Sequence, residues 1–160
     1  MISFRRLAVL VAATALLATG CGPARPTLAQ LQTQPVLAVP PGSTLLLRIG
    51  VKPRKGGIGK SGRDGAAEVV TASSEAPAVV ADRFQAGYGS RFGLKRVDNT
   101  AGGTIVGSEL RGRDSSTGAR IQVTVTSGKP FTLYGGPDDV RPPPPTSQSF
   151  TSVAVISRQR

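Results

Sequence analysis

Twenty glycines and thirteen prolines punctuate this chain, and between them the aliphatic and β-branched residues fall into runs of four to eight. Glycine and proline are the two residues that most disfavour a helix interior, at about 1 and 3 kcal/mol relative to alanine. The spacing therefore predicts short strands and no helix longer than two turns. The predicted strands are 35–39, 44–51, 68–72, 78–82, 92–97, 104–110 and 120–126. Alternation is cleanest in the last, where Ile121, Val123 and Val125 share one face and Gln122, Thr124 and Thr126 the other. Leu45, Leu47 and Ile49 are expected to share a face, with Arg48 turned outward. One cysteine permits no intrachain disulfide. Seven short strands without one point to an all-β chain, a two-sheet β-sandwich over residues 35–127 with a modest core.

Residues 128–160 read differently. Phe131–Tyr134, a Gly-Gly-Pro-Asp-Asp stretch and four consecutive prolines at 142–145 make a Pro-rich extension, the prolines favouring an extended polyproline segment. The last run, Phe150–Ile156, is expected to pair back onto the domain as an edge strand, because it would be sticky if left open.

The first twenty residues have another grammar. Arg5 and Arg6 precede the unbroken run Leu7–Leu17, and Ala18-Thr19-Gly20 leads into Cys21. A charged start, a short apolar stretch and small residues before a cleavage point constitute a secretory signal, too short to span a bilayer. Ala18-Thr19-Gly20-Cys21 resembles the bacterial lipobox, although alanine stands where leucine is usual. The resemblance implies signal removal over residues 1–20, acylation of Cys21 and attachment to a membrane. Acyl chains contribute about 0.8 kcal/mol per buried CH₂. Gly22 rather than aspartate after the cysteine leans towards the outer membrane, if the organism has one. Residues 21–34, polar and with Pro23 and Pro26, are expected to form a tether reaching on the order of 40 Å.

The charge balance is strongly positive, 20 Lys and Arg against 9 Asp and Glu. Part of the excess sits in one loop, where Lys52, Arg54, Lys55, Lys60 and Arg63 precede any acid. Its stretch Lys55-Gly56-Gly57-Ile58-Gly59-Lys60-Ser61 resembles the variant phosphate-binding loop of ParA/MinD-type ATPases. Such a loop needs a helix immediately after it, and Gly62-Arg63-Asp64-Gly65 starts none. The loop is read instead as a hairpin connection and a candidate anion site, suited to an envelope polyanion. A second candidate surface interleaves Phe84, Tyr88 and Phe92 with Arg91, Lys95 and Arg96. Glycines at 87, 89 and 93 suggest loop or irregular strand there, with some of the rings filling the core.

Three pieces resemble the invasin/intimin-type bacterial immunoglobulin-like domains. They are Val39–Leu45 (VPPGSTL), Val70–Val80 (VTASSEAPAVV), and Gly102–Ile105 (GGTI) with Ile121–Val125 (IQVTV). The resemblance implies an Ig-like sandwich serving as a surface spacer or adhesion module, and it transfers no catalytic residue. The tryptophan usual before the Ser-Ser pair is absent, with Ala72 nearest its place.

The chain contains no histidine, which removes imidazole triads and imidazole metal ligands. No catalytic residue, metal site or cofactor is expected. The expected function is that of an exported, lipid-anchored, non-catalytic structural or interaction module, with a surface protein or glycan as partner. The alternative is a basic module binding envelope polyanions, with no specific nucleic acid among its partners. A hydrolase or nucleotide-binding protein ranks below both.

Overall fold

Most of the apolar runs form strands, with partners chosen across long stretches of chain, while the expected strand at 35–39 begins instead as a 3-10 turn. The computed structural model describes residues 26–54 and 63–157. A short helix, α1 (Leu28–Gln32), and a 3-10 turn (Pro35–Leu37) lead into β1 (Ser43–Val51) and β2 (Gly65–Ser73). Helix α2 (Pro77–Phe92) follows, then β3 (Lys95–Ala101), β4 (Thr104–Arg113), β5 (Arg120–Thr126) and β6 (Ser149–Ser157). The six strands make one antiparallel sheet in the order β1-β2-β6-β5-β4-β3. The chain is thus mostly β, as its punctuation predicts. Among the described residues all six strands lie side by side in one sheet, and a second sheet facing it, as a sandwich needs, is not found.

Strand β6 is not at an edge. It lies between β2 and β5 and joins the β1–β2 hairpin to the β3–β4–β5 meander. Both β2 and β6 are buried along all nine residues, as a strand flanked and covered on both faces must be. One face carries Ala67, Val69, Val153, Val155, Ile121, Val123, Val125 and Leu110, the main core. The opposite face of the β1-β2-β6 half carries Ala66, Val70, Ala72, Phe150, Ala154 and Ile156.

Helix α2 covers the main core, and it corrects the sequence reading twice. Ala78–Asp82 is helical rather than a strand, and the helix runs for 16 residues despite Gly87 and Gly89. This stretch includes part of the immunoglobulin-like resemblance. The two glycines cost about 1 kcal/mol each. Burial outweighs them: Val80, Ala81, Phe84 and Phe92 are sunk in the core, and a buried Val or Phe contributes about 1.5–3 kcal/mol. Pro77 starts the helix at a position where its missing N–H is not needed. Gly93, in the left-handed region at φ +58°, ends it, and the Leu94 N–H reaches back to the Gly89 carbonyl at 3.0 Å. That is the six-to-one bond of a Schellman cap, with Leu94 buried beside it.

The second face is covered by the Pro-rich stretch, which crosses it as a strap. Tyr134 packs with Val51, Ala66, Ala154 and Ile156, and Val140 packs with Leu46, Val70, Ala72 and Phe150. A bulge in β1 between Leu45 and Leu47 serves both faces. Leu45 packs on the main core while Leu46 and Leu47 turn to the strap side. The expected common face of Leu45, Leu47 and Ile49 is therefore broken by one inserted residue. Residues 27–34, expected to belong to a tether, are folded against the domain. Thr27 caps α1 in a capping box with Gln30, and Leu31 and the following Val36 and Leu37 are part of the core.

One glycine sets the seat of α2. A Cβ on Gly112 of β4 would collide with the carbonyl oxygen of Phe92 and stand 2.8 Å from Leu94 Cδ2. Gly112→Ala is expected to destabilise the fold by about 2–3 kcal/mol through this overpacking. Urea unfolding checks it, with Gly128→Ala, where nothing lies within 4 Å, as the control expected to change little.

Candidate functional site

The most unusual group in the molecule is a carboxylate. Glu68, in the middle of β2, is 0% exposed. Its Oε1 accepts from the Leu133 N–H at 2.8 Å and from Ser152 Oγ at 2.6 Å. Its Oε2 accepts from Thr132 Oγ1 at 2.9 Å and from the Tyr134 N–H at 3.0 Å. These four bonds match the four lone-pair directions of a carboxylate. Thr132 Oγ1 in turn accepts from the Gly135 N–H at 2.9 Å, closing a turn in the strap. Every donor is a group of the fold itself, so Glu68 fastens the strap to β2 and β6 and presents no atom to a substrate.

Most of the other described carboxylates also have partners within the fold. Arg96 bridges Asp82 on α2 and Asp98 on β3, and Ser108 Oγ donates to Asp98 at 2.5 Å. Glu109 holds Arg111 in a two-pronged pair at 2.8 and 2.9 Å and accepts from Gln122. Glu75 pairs with Arg83 at 2.5 Å. Asp114 organises the β4–β5 turn, accepting from the Ser116 N–H and hydroxyl, Thr117 Oγ1 and the Gln34 amide. Among the described residues no three His, Cys, Asp or Glu side chains stand close enough to hold a metal ion.

The aromatic and basic candidates separate. Phe84, Tyr88 and Phe92 lie one turn apart on α2, with ring centroids 6.2 and 6.0 Å apart. Phe84 and Phe92 are buried, and Tyr88 donates its hydroxyl to the Pro35 carbonyl at 2.9 Å. Arg91 rests over the Phe92 ring, Arg96 is held in its two ion pairs, and Lys95 is exposed. The rings therefore fill the core instead of lining a stacking surface. Tyr88 and Phe84 do form one wall of an apolar groove of about 310 Å³, whose other wall is Ala38–Pro41.

The basic loop fares differently. Lys55 and Lys60 lie outside the described residues, as does Cys21. The flanks are clear. Arg54 and Arg63 exchange backbone hydrogen bonds, both 2.9 Å, so the hairpin ladder continues past the ends of β1 and β2. A strand, not a helix, follows the loop, and this is incompatible with a phosphate-binding loop.

The register adds residues to this end of the sheet. Val51 pairs with Ala66, Gly65 with Ser157, Arg120 with Ile156, and Arg113 with Arg120. The end of β4 and the start of β5 are thus in line with the basic hairpin. Lys52, Arg54, Arg63, Arg113 and Arg120, all exposed, share this end with Asp64 and Asp114. Arg120 stands 3.9 Å from Asp64. The phenol of Tyr134 reaches the same region; burial, and then the Asp64 carboxylate, push its pKa up, while Arg120 pulls it down. Arg113 and Arg120 were not legible as part of a site, because only strand pairing brings them to residues some sixty positions earlier.

Compared with known proteins, the chain matches no family model, no curated protein and no solved structure.

Two outcomes test this chemistry. Glu68→Gln replaces an acceptor oxygen by an amide donor facing donors, and should cost about 2–4 kcal/mol of stability. Amide exchange at Leu133 and Tyr134 should rise ahead of exchange in β5 if the strap is what the carboxylate holds. At Asp114 burial pushes the pKa up, but the bonds from Ser116, Thr117 and Gln34 outweigh it and hold the carboxyl below its ordinary value. A depressed folded value gives stability that is present above the unfolded value, about 3.9. It is lost as pH falls through the folded value. Denaturation midpoints measured below pH ~4 should therefore fall less steeply in Asp114→Asn than in the wild type.

Proposed function

We propose that the chain is an exported protein held at the cell envelope by a lipid on Cys21, where its folded domain acts as a non-catalytic structural or interaction module. The observation that carries this reading is the Arg5-to-Cys21 segment, in which the only cysteine of the chain closes a short secretory signal. A free thiol in an oxidising compartment is a liability that acylation removes. Among the described residues no helix is long and apolar enough to cross a membrane, so attachment in this reading depends on the anchor. The lack of histidine and the occupation of Glu68, Asp82, Asp98, Glu109 and Asp114 by partners within the fold support a module without acid–base chemistry. The likeness to bacterial immunoglobulin-like spacers lends less support, since one sheet covered by α2 stands where two sheets were expected.

A second reading, binding of an envelope polyanion, is favoured by one specific observation: the convergence of five exposed cations on one end of the sheet. Charge of one sign on a continuous surface raises the local concentration of the opposite ion.

The anchor is tested by labelling expressing cells with a clickable palmitate analogue. Label should enter the wild-type chain, and Cys21→Ser should abolish it and move the protein out of the membrane fraction. Unlabelled wild-type protein, or equal membrane retention of the serine variant, would overturn the reading.

A further inference from the structure

The basic end of the sheet and the start of the folded domain are on the same side of the molecule. Leu28 of α1 packs over Gly50, where a Cβ would stand 3.2 Å from Leu28 Cδ1, and Gly50 is the penultimate residue of β1. From Cys21 to Leu28 is seven residues, a reach of at most about 25 Å. Between Cys21 and the first described residue, Pro26, it is five, at most about 18 Å. The strands are themselves about 27 Å long at ~3.4 Å per residue. A link this short ties one particular end of the sheet close to whatever holds Cys21.

That end carries the cations. Lys52, Arg54, Arg63, Arg113 and Arg120 are exposed there, with only Asp64 and Asp114 as described carboxylates. Arg91 and Lys95 flank it, because α2 descends to Phe92 against Gly112, and Lys95 pairs with Arg111. The opposite end carries fewer charges, Lys129 beyond β5 among them. Ser43, Ser73 and Ser149 stand there in register, the β3–β4 turn around Ala101 and Thr104 is uncharged, and the nearby Glu75 is paired with Arg83. Among the described residues, exposed cations are thus gathered at the end of the sheet where α1 packs.

We propose that this end of the sheet lies on the anionic lipid headgroups of the membrane that holds Cys21, so that the domain is fixed with the Lys52 and Arg63 ends of the first hairpin and the β4–β5 turn down and the serine-rich end outward. The inference rests on the lipid-anchor reading. Its chemistry is that of a lipid chain combined with a polybasic patch, two signals that together anchor more firmly than either. The attraction acts within a Debye length, about 8 Å at physiological salt, so only an end held at the headgroups by a short link experiences it. The anchor supplies that proximity and the cations supply the orientation.

The test uses the chain from Cys21 to Arg160 with Cys21→Ser, which keeps every described residue and removes the lipid. It is sedimented with vesicles of phosphatidylcholine alone and of phosphatidylcholine with a minority of phosphatidylglycerol, at low and physiological salt. Binding is expected to the anionic vesicles only, and to weaken as salt rises. Lys52→Gln, Arg113→Gln and Arg120→Gln together should weaken it about a hundredfold, at roughly fivefold per cation near a charged surface. Lys129→Gln with Arg141→Gln, away from this end, should change it less than threefold. Circular dichroism confirms that both variants keep the fold. Equal binding to neutral vesicles, no binding to anionic ones, or equal loss in the two variants would overturn the proposal. An unacylated Cys21 in cells with anionic-vesicle binding intact would remove the anchor reading instead, so the two failures are told apart.

Discussion

A carboxylate with no exposed surface and no ion pair among the described residues shapes much of this fold. Placing Glu68 in the centre of a six-stranded sheet would cost several kcal/mol if its oxygens were left bare. Four donors meet it, two from backbone N–H groups of the strap and one each from Thr132 and Ser152. The acceptor belongs to β2 and its donors come from two places, the serine from β6 and the rest from residues 132–134. Satisfying one group therefore requires the strap to cross the second face and the C-terminal strand to enter beside β2. The remaining apolar residues of that face, among them Val70, Ala154 and Ile156, are then covered by Tyr134 and Val140.

The helix face follows a different logic, in which shape counts for more than polarity. Phe84, Tyr88 and Phe92 form a stepped row along α2, and Gly112 lets the helix terminus sit directly on β4. Arg96 holds α2 to the β3–β4 hairpin from outside by joining Asp82 to Asp98. With helix and strap on opposite faces, the ends of the strands are left as open surfaces. One of those ends gathers arginines and lysines and the other serines. The charge asymmetry of the domain is thus a product of strand register, since residues at the ends of β1, β2, β4 and β5 are brought level by it.

Much of the strand content was legible locally. Runs such as Arg120–Thr126 alternate cleanly, and alternation is a local property of a half-buried strand. The helix was not, because Gly87 and Gly89 lower its intrinsic preference, and its stability comes from rings buried against strands far away in the chain. The interior placement of β6 was also hidden. Its sequence, FTSVAVI, suits an edge or a centre equally, and only pairing with both β2 and β5 distinguishes them. The bulge at Leu45–Leu47 likewise depends on a partner strand. Of the candidate site, Lys52, Arg54 and Arg63 could be read as one basic loop, while Arg113 and Arg120 had no local signature connecting them to it.

By itself the sequence determined that the elements are mostly strands, the hairpin at the basic loop, and the cationic balance. It also carries the signal-like segment on which the lipid-anchor proposal depends. These follow from backbone preferences and from composition, which do not depend on distant neighbours. Tertiary structure alone decided that the strands share one sheet, that α2 is a helix, that Glu68 is satisfied and that the charges segregate to one end. Each of these is settled by contacts between residues tens of positions apart, whose energy exists only once the chain has closed on itself.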